Sequence, residues 1–233
     1  MGKEADQSRF YINKDITRKL NTETRLSFKS NVVNIETKMN KARLIGYDVR
    51  SLDEDTYAVR FKDTLTIYSS HQIALPINCY RLFSDTMFKE IDMHGLDASE
   101  VKYMMGTFQN MHNLEKLDMS NLKIPKLISL DSVFYDTISN VVDMSGMYIP
   151  KARKLFQTFI CAQINKLDMS NIDASHMYEI WGIFASLKSK TVDLSNFKIR
   201  EDCRLVEVFD ESRIETIKIT DKNLLKEYEA YHK

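Results

Sequence analysis

Five aspartates recur at a nearly constant spacing, and they are the residues of this sequence that could most readily do chemistry. They are Asp92, Asp118, Asp143, Asp168 and Asp193, separated by 26, 25, 25 and 25 residues. If the repeats stack as parallel strands, the carboxylates form a column with a spacing of about 4.8 Å. Such a column could bind a cation or a basic partner. The alternative is structural: each carboxylate accepts hydrogen bonds from the turn that follows it.

Serines and lysines beside this aspartate column bear on both interpretations. A serine follows four of the aspartates by two residues, at Ser120, Ser145, Ser170 and Ser195. These serines would help to satisfy the carboxylates within the turns, so we favour the structural interpretation. Lys116 and Lys166 precede an aspartate by two residues and would neutralise part of the column on the same face. The five aspartates and these two lysines are therefore the candidate partner-binding residues on the strands.

Two further residues share one repeat position, thirteen residues after the aspartate. Trp181 occupies it in one repeat, where the predicted helix places it in the core rather than on a recognition surface. Asp131 occupies the same position in another repeat. A carboxylate at an apolar position predicts either local exposure or a polar contact with a partner. Asp131 is therefore an additional candidate partner-binding residue.

Histidines and cysteines do not form a recognisable site. The histidines are His71, His94, His112, His176 and His232, and none has the spacing of metal ligands. The cysteines Cys79, Cys161 and Cys203 lie far apart without a CxxC motif, which predicts free thiols. Motifs of phosphate-binding loops, dinucleotide sites and nucleophile elbows are absent from the sequence. The sequence predicts no metal, no cofactor and no enzymatic activity. An enzyme whose site is assembled only by folding is the alternative.

The aspartates belong to an internal repeat whose apolar positions predict its secondary structure. Apolar residues flank each aspartate, as Leu167 and Met169 flank Asp168, which is typical of a short strand. Apolar residues at plus nine, twelve, thirteen and sixteen have the spacing of one helix face. Phenylalanine holds position plus sixteen throughout, at Phe108, Phe134, Phe159, Phe184 and Phe209, with Phe83 in a weaker preceding repeat. Each repeat is therefore predicted to be a strand followed by a helix.

Such repeats predict an α/β fold, a right-handed solenoid with short parallel strands on one face and helices on the other. Residues 1–65 are predicted to form a β-rich N-terminal cap, which includes a short helix near Ile16 with Asp15 as its N-cap. Residues 66–220 would form six to seven repeats. Residues 221–233 would form a capping helix that starts at Asp221 and packs Leu224, Leu225 and Tyr228 against the last repeat.

The repeats resemble the BspA-like leucine-rich repeats of bacterial surface proteins, whose pattern runs LDLSNFDTSxVTDMSxMF. The segments IDMHGLDASEVKYMMGTF from Ile91 and LDMSNIDASHMYEIWGIF from Leu167 are the most similar. Gly106 and Gly182 match the small residue two positions before the phenylalanine. The resemblance covers roughly residues 66–221 and implies a leucine-rich-repeat fold that binds other molecules, as adhesins do. The chain departs from the family in its β-rich N-terminal segment and in lacking the Gly-Cys-Ser-Ser return loop.

Composition narrows the function further. Lysine plus arginine equals aspartate plus glutamate at 33 each, so no net charge would attract nucleic acid. No segment has the roughly 18 apolar residues of a membrane span, and the N-terminus lacks a signal-peptide pattern. The sequence therefore predicts a cytoplasmic, non-catalytic module that binds another protein as a scaffold, adaptor or stoichiometric inhibitor. That class includes an inhibitor of a host defence complex encoded by a phage or mobile element. An adhesin-like protein of the cell surface is the alternative.

Overall fold

A computed structural model describes residues 8–22 and 24–232. The helices are α1 (Lys14–Lys19), α2 (Ile35–Leu44) and α3 (Lys222–Tyr231). The strands are β1 (Arg9–Tyr11), β2 (Arg25–Lys29), β3 (Asp48–Ser51), β4 (Thr56–Phe61), β5 (Thr64–Ser69), β6 (Gln72–Ala74), β7 (Glu90–Asp92), β8 (Leu114–Asp118), β9 (Ile138–Asp143), β10 (Lys154–Phe156), β11 (Gln163–Asp168), β12 (Asp173–Ala174), β13 (Glu179–Trp181), β14 (Lys188–Leu194), β15 (Lys198–Ile199), β16 (Arg204–Val206) and β17 (Arg213–Ile219).

The chain winds into a β-solenoid, in which each coil lays a strand parallel to the equivalent strand of the previous coil. The main sheet has ten strands in the order β17-β14-β11-β9-β8-β7-β2-β5-β4-β3. Its register pairs Asp143 with Asp168 and Asp168 with Asp193, so one repeat is one coil. The predicted solenoid of stacked repeats is therefore confirmed. We call this sheet the first ladder.

Two shorter parallel ladders complete each coil. The second ladder contains the pairs β1-β6 and β12-β15 and a bridge between Lys123 and Tyr148. The third ladder contains β10-β13-β16 and continues through bridges from Ser129 to Tyr103 and from Tyr103 to Asn78. The third ladder occupies the part of each repeat for which the sequence predicts a helix.

The prediction of a helical face is wrong, since no helix occurs between β7 and β17. Packed helices need about 8–10 Å between their axes, whereas coils joined by parallel strands lie about 4.8 Å apart. The phenylalanine rings opposite the first ladder are also only 5.0 to 5.9 Å apart, so the coils do not fan out to make room for helices. Left-handed residues such as Gln157 and Cys161, with φ of 48° and 59°, also interrupt this part of each coil.

The core runs along the solenoid as a stack of equivalent side chains. Six phenylalanines stack in coil order, at Phe83, Phe108, Phe134, Phe159, Phe184 and Phe209. All six are buried. The apolar residues on either side of each aspartate, such as Leu167 and Met169, point from the first ladder into this core and are buried. Each coil therefore completes its core only by contact with its neighbours.

The N-terminal segment contributes a strand to the solenoid itself. Strand β2 lies between β5 and β7 and is parallel to both, so the first coil does not stack directly on β5. A Cβ at Gly95 would lie 2.2 Å from the carbonyl oxygen of Phe28, which explains the glycine at this close approach. Strands β3, β4 and β5 form an antiparallel meander, and α2 covers it with a small second core around Met39 and Tyr57.

The helices near the two termini lie where the sequence predicts them, but some of their capping and buried residues differ from the prediction. Asp221 caps α3 and accepts the backbone N–H groups of Asn223 and Leu224, as predicted. Leu224 is buried and Tyr228 packs edge-on against Phe209, whereas Leu225 is exposed, contrary to prediction. Helix α1 is capped by the side chain of Asn13 and not by Asp15. Residues 1–7, 23 and 233, included in the predicted caps, lie outside the described residues.

Candidate functional site

The five aspartates of the column lie in register on neighbouring strands of the first ladder. Each one accepts, through Oδ1, the backbone N–H of the residue two positions later. The distances are 3.0 Å for Asp92, 3.2 Å for Asp118, 3.0 Å for Asp143, 3.0 Å for Asp168 and 2.9 Å for Asp193. The aspartates thus stabilise the tight turn that ends each strand, which is the contact that the structural interpretation predicts.

Cations next to the column neutralise part of its charge. Lys116 Nζ lies 3.1 Å from Asp118 Oδ2, and Lys218 Nζ lies 2.9 Å from Asp193 Oδ2. Lys166, on β11, is exposed, and Val141 of β9 lies between it and Lys116 in the sheet. His94 Nδ1 lies 2.7 Å from Asp92 Oδ1. The first-ladder face is therefore a mixed polar surface.

Two carboxyls of the column have shifted pKa values. Partial burial by itself raises the pKa of Asp118, but hydrogen bonds from Ser120 and Lys116 outweigh it and hold the pKa below its ordinary value. In the same way, partial burial opposes the hydrogen bonds from Ser195 and Lys218 at Asp193, and the pKa of Asp193 is also lowered. Both groups therefore keep their charge to a lower pH than an ordinary aspartate, because the turn and the neighbouring lysine stabilise the carboxylate.

The outward surface of the coils on the third ladder carries a group of exposed apolar side chains. We call it the third-ladder face. Its large apolar side chains that are more than a third exposed are Ile77, Tyr80, Tyr103, Met105, Ile128, Phe156 and Tyr178. They follow one another from coil to coil at positions ten, eleven and thirteen after the aspartate. Contiguous exposed apolar side chains of this kind mark interaction sites more often than scattered ones do.

Asp131 and Trp181 both lie on this third-ladder face, away from the aspartate column. The prediction that Trp181 is a core residue is wrong, because it is half-buried and its Nε1 donates to Glu207 Oε2 at 3.0 Å. Its ring packs edge-on against Phe156, with centroids 5.4 Å apart. This part of the coil is a strand, in which successive side chains point to opposite faces. The side chain at position twelve, as at Ile180, is therefore buried, and those at positions eleven and thirteen face outward.

Two hollows open on the third-ladder face, and Asp131 borders both. One has a volume of about 320 Å³ and is lined by Asn78, Tyr80, Tyr103, Met104, Met105, Ser129 and Asp131. The other has a volume of about 430 Å³ and lies toward Phe156, Tyr178 and Trp181. An aromatic and aliphatic lining with a few polar groups is the usual composition of a recognition site.

Three charged residues on the third-ladder face, Lys154, Glu179 and Arg204, are paired with one another. Glu179 accepts from Lys154 at 2.7 Å and from Arg204 at 2.9 Å. Lysines also lie over two of the tyrosine rings: Lys14 Nζ is 4.6 Å from the Tyr80 centroid, and Lys154 Nζ is 5.2 Å from that of Tyr178. The rings on this face therefore already interact with cations of the chain itself.

Sequence reasoning identified Asp131 but missed its aromatic neighbours. The available signal was the polar residue at position eleven, Ser129, Lys154, Glu179 or Arg204, followed by an apolar residue at twelve. That alternation is typical of a strand with one face in solvent. In a three-residue strand it is too short to outweigh the helical spacing of the longer segment.

No family model, curated protein or solved structure matches this chain. Among residues 8–22 and 24–232, no group of three histidine, cysteine, aspartate or glutamate side chains is arranged to hold a metal ion. No helix within the same residues has the length and apolar character needed to cross a membrane.

Proposed function

We propose that this chain is a non-catalytic module that binds another protein on its third-ladder face. The observation that carries the proposal is the continuous row of exposed tyrosine, phenylalanine, methionine and isoleucine side chains along that face. Aromatic residues and methionine are enriched in protein interfaces. Stacked coils hold the row rigidly, so little conformational entropy is lost when a partner binds.

The partner-binding residues proposed from the sequence divide between two faces. Asp131 lies on the third-ladder face, within the apolar row. Asp92, Lys116, Asp118, Asp143, Lys166, Asp168 and Asp193 lie on the first-ladder face, where the carboxylates hold turns. We therefore place the main contact at Asp131 and its neighbours, and assign the aspartate column a supporting role in the coil.

The finer identity of the module is also a proposal. The resemblance to BspA-like leucine-rich repeats rests on the segment with aspartate, serine and asparagine after the strand, which here forms the turn beside the aspartate column. A cytoplasmic scaffold, adaptor or stoichiometric inhibitor, including one encoded by a phage or mobile element, is our preferred class. The adhesin-like alternative would place the chain at the cell surface, and fractionation of the producing cells distinguishes the two.

The binding proposal is tested by placing charges in the apolar row. Met105 and Phe156 are 49% and 37% exposed, so the double variant M105K/F156K should fold and melt close to the native chain. Ile138 is 41% exposed on the first-ladder face and provides the matched control I138K. We expect the native chain and I138K to retain the same protein in a pull-down and M105K/F156K to lose it. If M105K/F156K melts normally and still retains that protein, the third-ladder face is not the binding site.

A further inference from the structure

We propose that the hollow beside Asp131 recognises an arginine side chain of the protein partner. This inference rests on the proposed function, because it assumes that a protein occupies the third-ladder face. It adds the chemistry of the contact: a guanidinium group paired with the Asp131 carboxylate and enclosed by the Tyr80 and Tyr103 rings.

The charge of the hollow favours a cation. Among the described residues that line it, only Asp131 is charged. Its carboxylate makes no ion pair and no side-chain hydrogen bond with any described residue, whereas Glu179 on the same face has two cationic partners. A carboxylate that is left without a partner beside apolar side chains is complementary to a cation supplied by another molecule.

The walls of the hollow favour the same class of ligand. The faces of tyrosine rings attract cations, as Lys14 Nζ shows by lying 4.6 Å from the centroid of the Tyr80 ring. Tyr103, which lines the hollow next to Ser129, has no such cation among the described residues. Its ring is therefore available to stack with a planar cation.

The polar groups of the hollow favour arginine over lysine. The Asp131 carboxylate borders a volume of about 320 Å³ together with the Ser129 hydroxyl and the Asn78 side-chain oxygen. The last two already accept the backbone N–H groups of Asp131 and Tyr80, and each keeps a second lone pair that can accept from a ligand. A guanidinium has five N–H donors in a plane and stacks on aromatic rings, whereas an ammonium is a compact and strongly hydrated charge. Lysine would satisfy the charge but would use fewer of these groups.

The inference is tested by titrating the isotope-labelled chain with N-acetyl-arginine amide in an NMR experiment. The control ligand is N-acetyl-citrulline amide, which has nearly the same shape but no charge. We expect saturable shifts at the backbone amides of Tyr103, Ser129 and Asp131 with the arginine probe only. The variant D131N loses no ion pair or side-chain hydrogen bond with the described residues and should fold normally, yet bind the probe about fivefold more weakly, the upper range for an exposed ion pair. The matched variant D143N, on the first-ladder face, should bind it as the native chain does.

Three results would overturn the inference: no saturable shift with the arginine probe, equal shifts with citrulline, or unchanged binding in D131N. A stronger response to N-acetyl-lysine amide would replace arginine by lysine and overturn the choice of cation. Failure here is distinguishable from failure of the proposed function. If M105K/F156K loses the protein partner while D131N binds the arginine probe like the native chain, the face binds a protein but not through an arginine paired with Asp131.

Discussion

Phe134 and Phe159 stack across neighbouring coils, with their ring centroids 5.0 Å apart and their ring planes inclined by only 5°. The chain places these rings 25 residues apart, which is one turn of the solenoid. Their separation is close to the spacing of paired strands in a sheet. The coil therefore advances by the same distance on its phenylalanine side as on its first ladder, and this uniform advance determines much of the fold.

We expect Phe159→Ala to destabilise the chain by about 3–5 kcal/mol, because the side chain is fully buried between two other rings. Phe156 lies three residues earlier on the third-ladder face, where it is 37% exposed and packs edge-on against Trp181, so Phe156→Ala should cost much less, about 1 kcal/mol. Urea denaturation of both variants measures the difference. Equal losses would show that the inward and outward positions have been assigned incorrectly.

A second prediction separates the contribution of the aspartate charges to the stability of the chain from that of their hydrogen bonds. The triple variant D118N/D143N/D168N keeps an oxygen that can accept each turn N–H but loses the ion pair of Asp118 with Lys116, so it should be only slightly less stable than the native chain. The corresponding alanine triple loses these acceptors and should be less stable by about 1 kcal/mol per site. Thermal melting of the two triples gives the comparison. An asparagine triple as unstable as the alanine triple would mean that the carboxylate charge itself is required.

Stability should decrease in acid because the pKa values of Asp118 and Asp193 are lowered in the folded chain. A lowered pKa means that the unfolded chain binds protons first, so the stabilisation is complete above the ordinary aspartate pKa of about 3.9. It is lost as the pH falls from there through the lower folded values. Urea midpoints measured from pH 6 to pH 2 should fall below about pH 4. The fall should be smaller in D118N/D193N, and an identical fall in that variant would contradict the assignment.

Whole coils should be removable, since Asp143 and Asp168 occupy equivalent positions in paired strands. Deleting residues 144–168 joins Asp143 to Met169 and brings Phe134 next to Phe184 in the stack. We expect this shorter chain to retain a β-sheet circular dichroism spectrum and a cooperative melt. Deleting only residues 144–155 shifts the strands out of register and should abolish both. Similar behaviour of the two deletions would contradict a solenoid with interchangeable coils.

The regular spacing explains which parts of the fold could be predicted from the sequence. Equivalent residues of successive coils lie one above another in a solenoid. A column of side chains in the structure therefore corresponds to a constant residue spacing in the sequence. Asp143, Asp168 and Phe159 could therefore be placed without coordinates. The helix after Asp221 was also predictable, because capping and helix periodicity are local properties.

The third-ladder face could not be predicted in the same way. Buried residues at positions nine, twelve and sixteen fit both a helix and a short strand flanked by turns. The two alternatives differ at position thirteen, which a helix buries and a strand exposes. The sequence therefore predicted a core location for Trp181. It also presented Asp131 as a break in the repeat pattern, whereas Asp131 is one member of an outward-facing row.

The sequence by itself determined the repeat length, the columns of aspartate and phenylalanine and the terminal helix, because these depend on local propensity and on a period that stacking preserves. Only the tertiary structure decided which side of each coil faces solvent and that β2 lies between β5 and β7. The physical reason is the spacing between coils. Strands pair about 4.8 Å apart and helices pack about 8–10 Å apart, so stacking without fanning excludes the helices that a single repeat would otherwise favour.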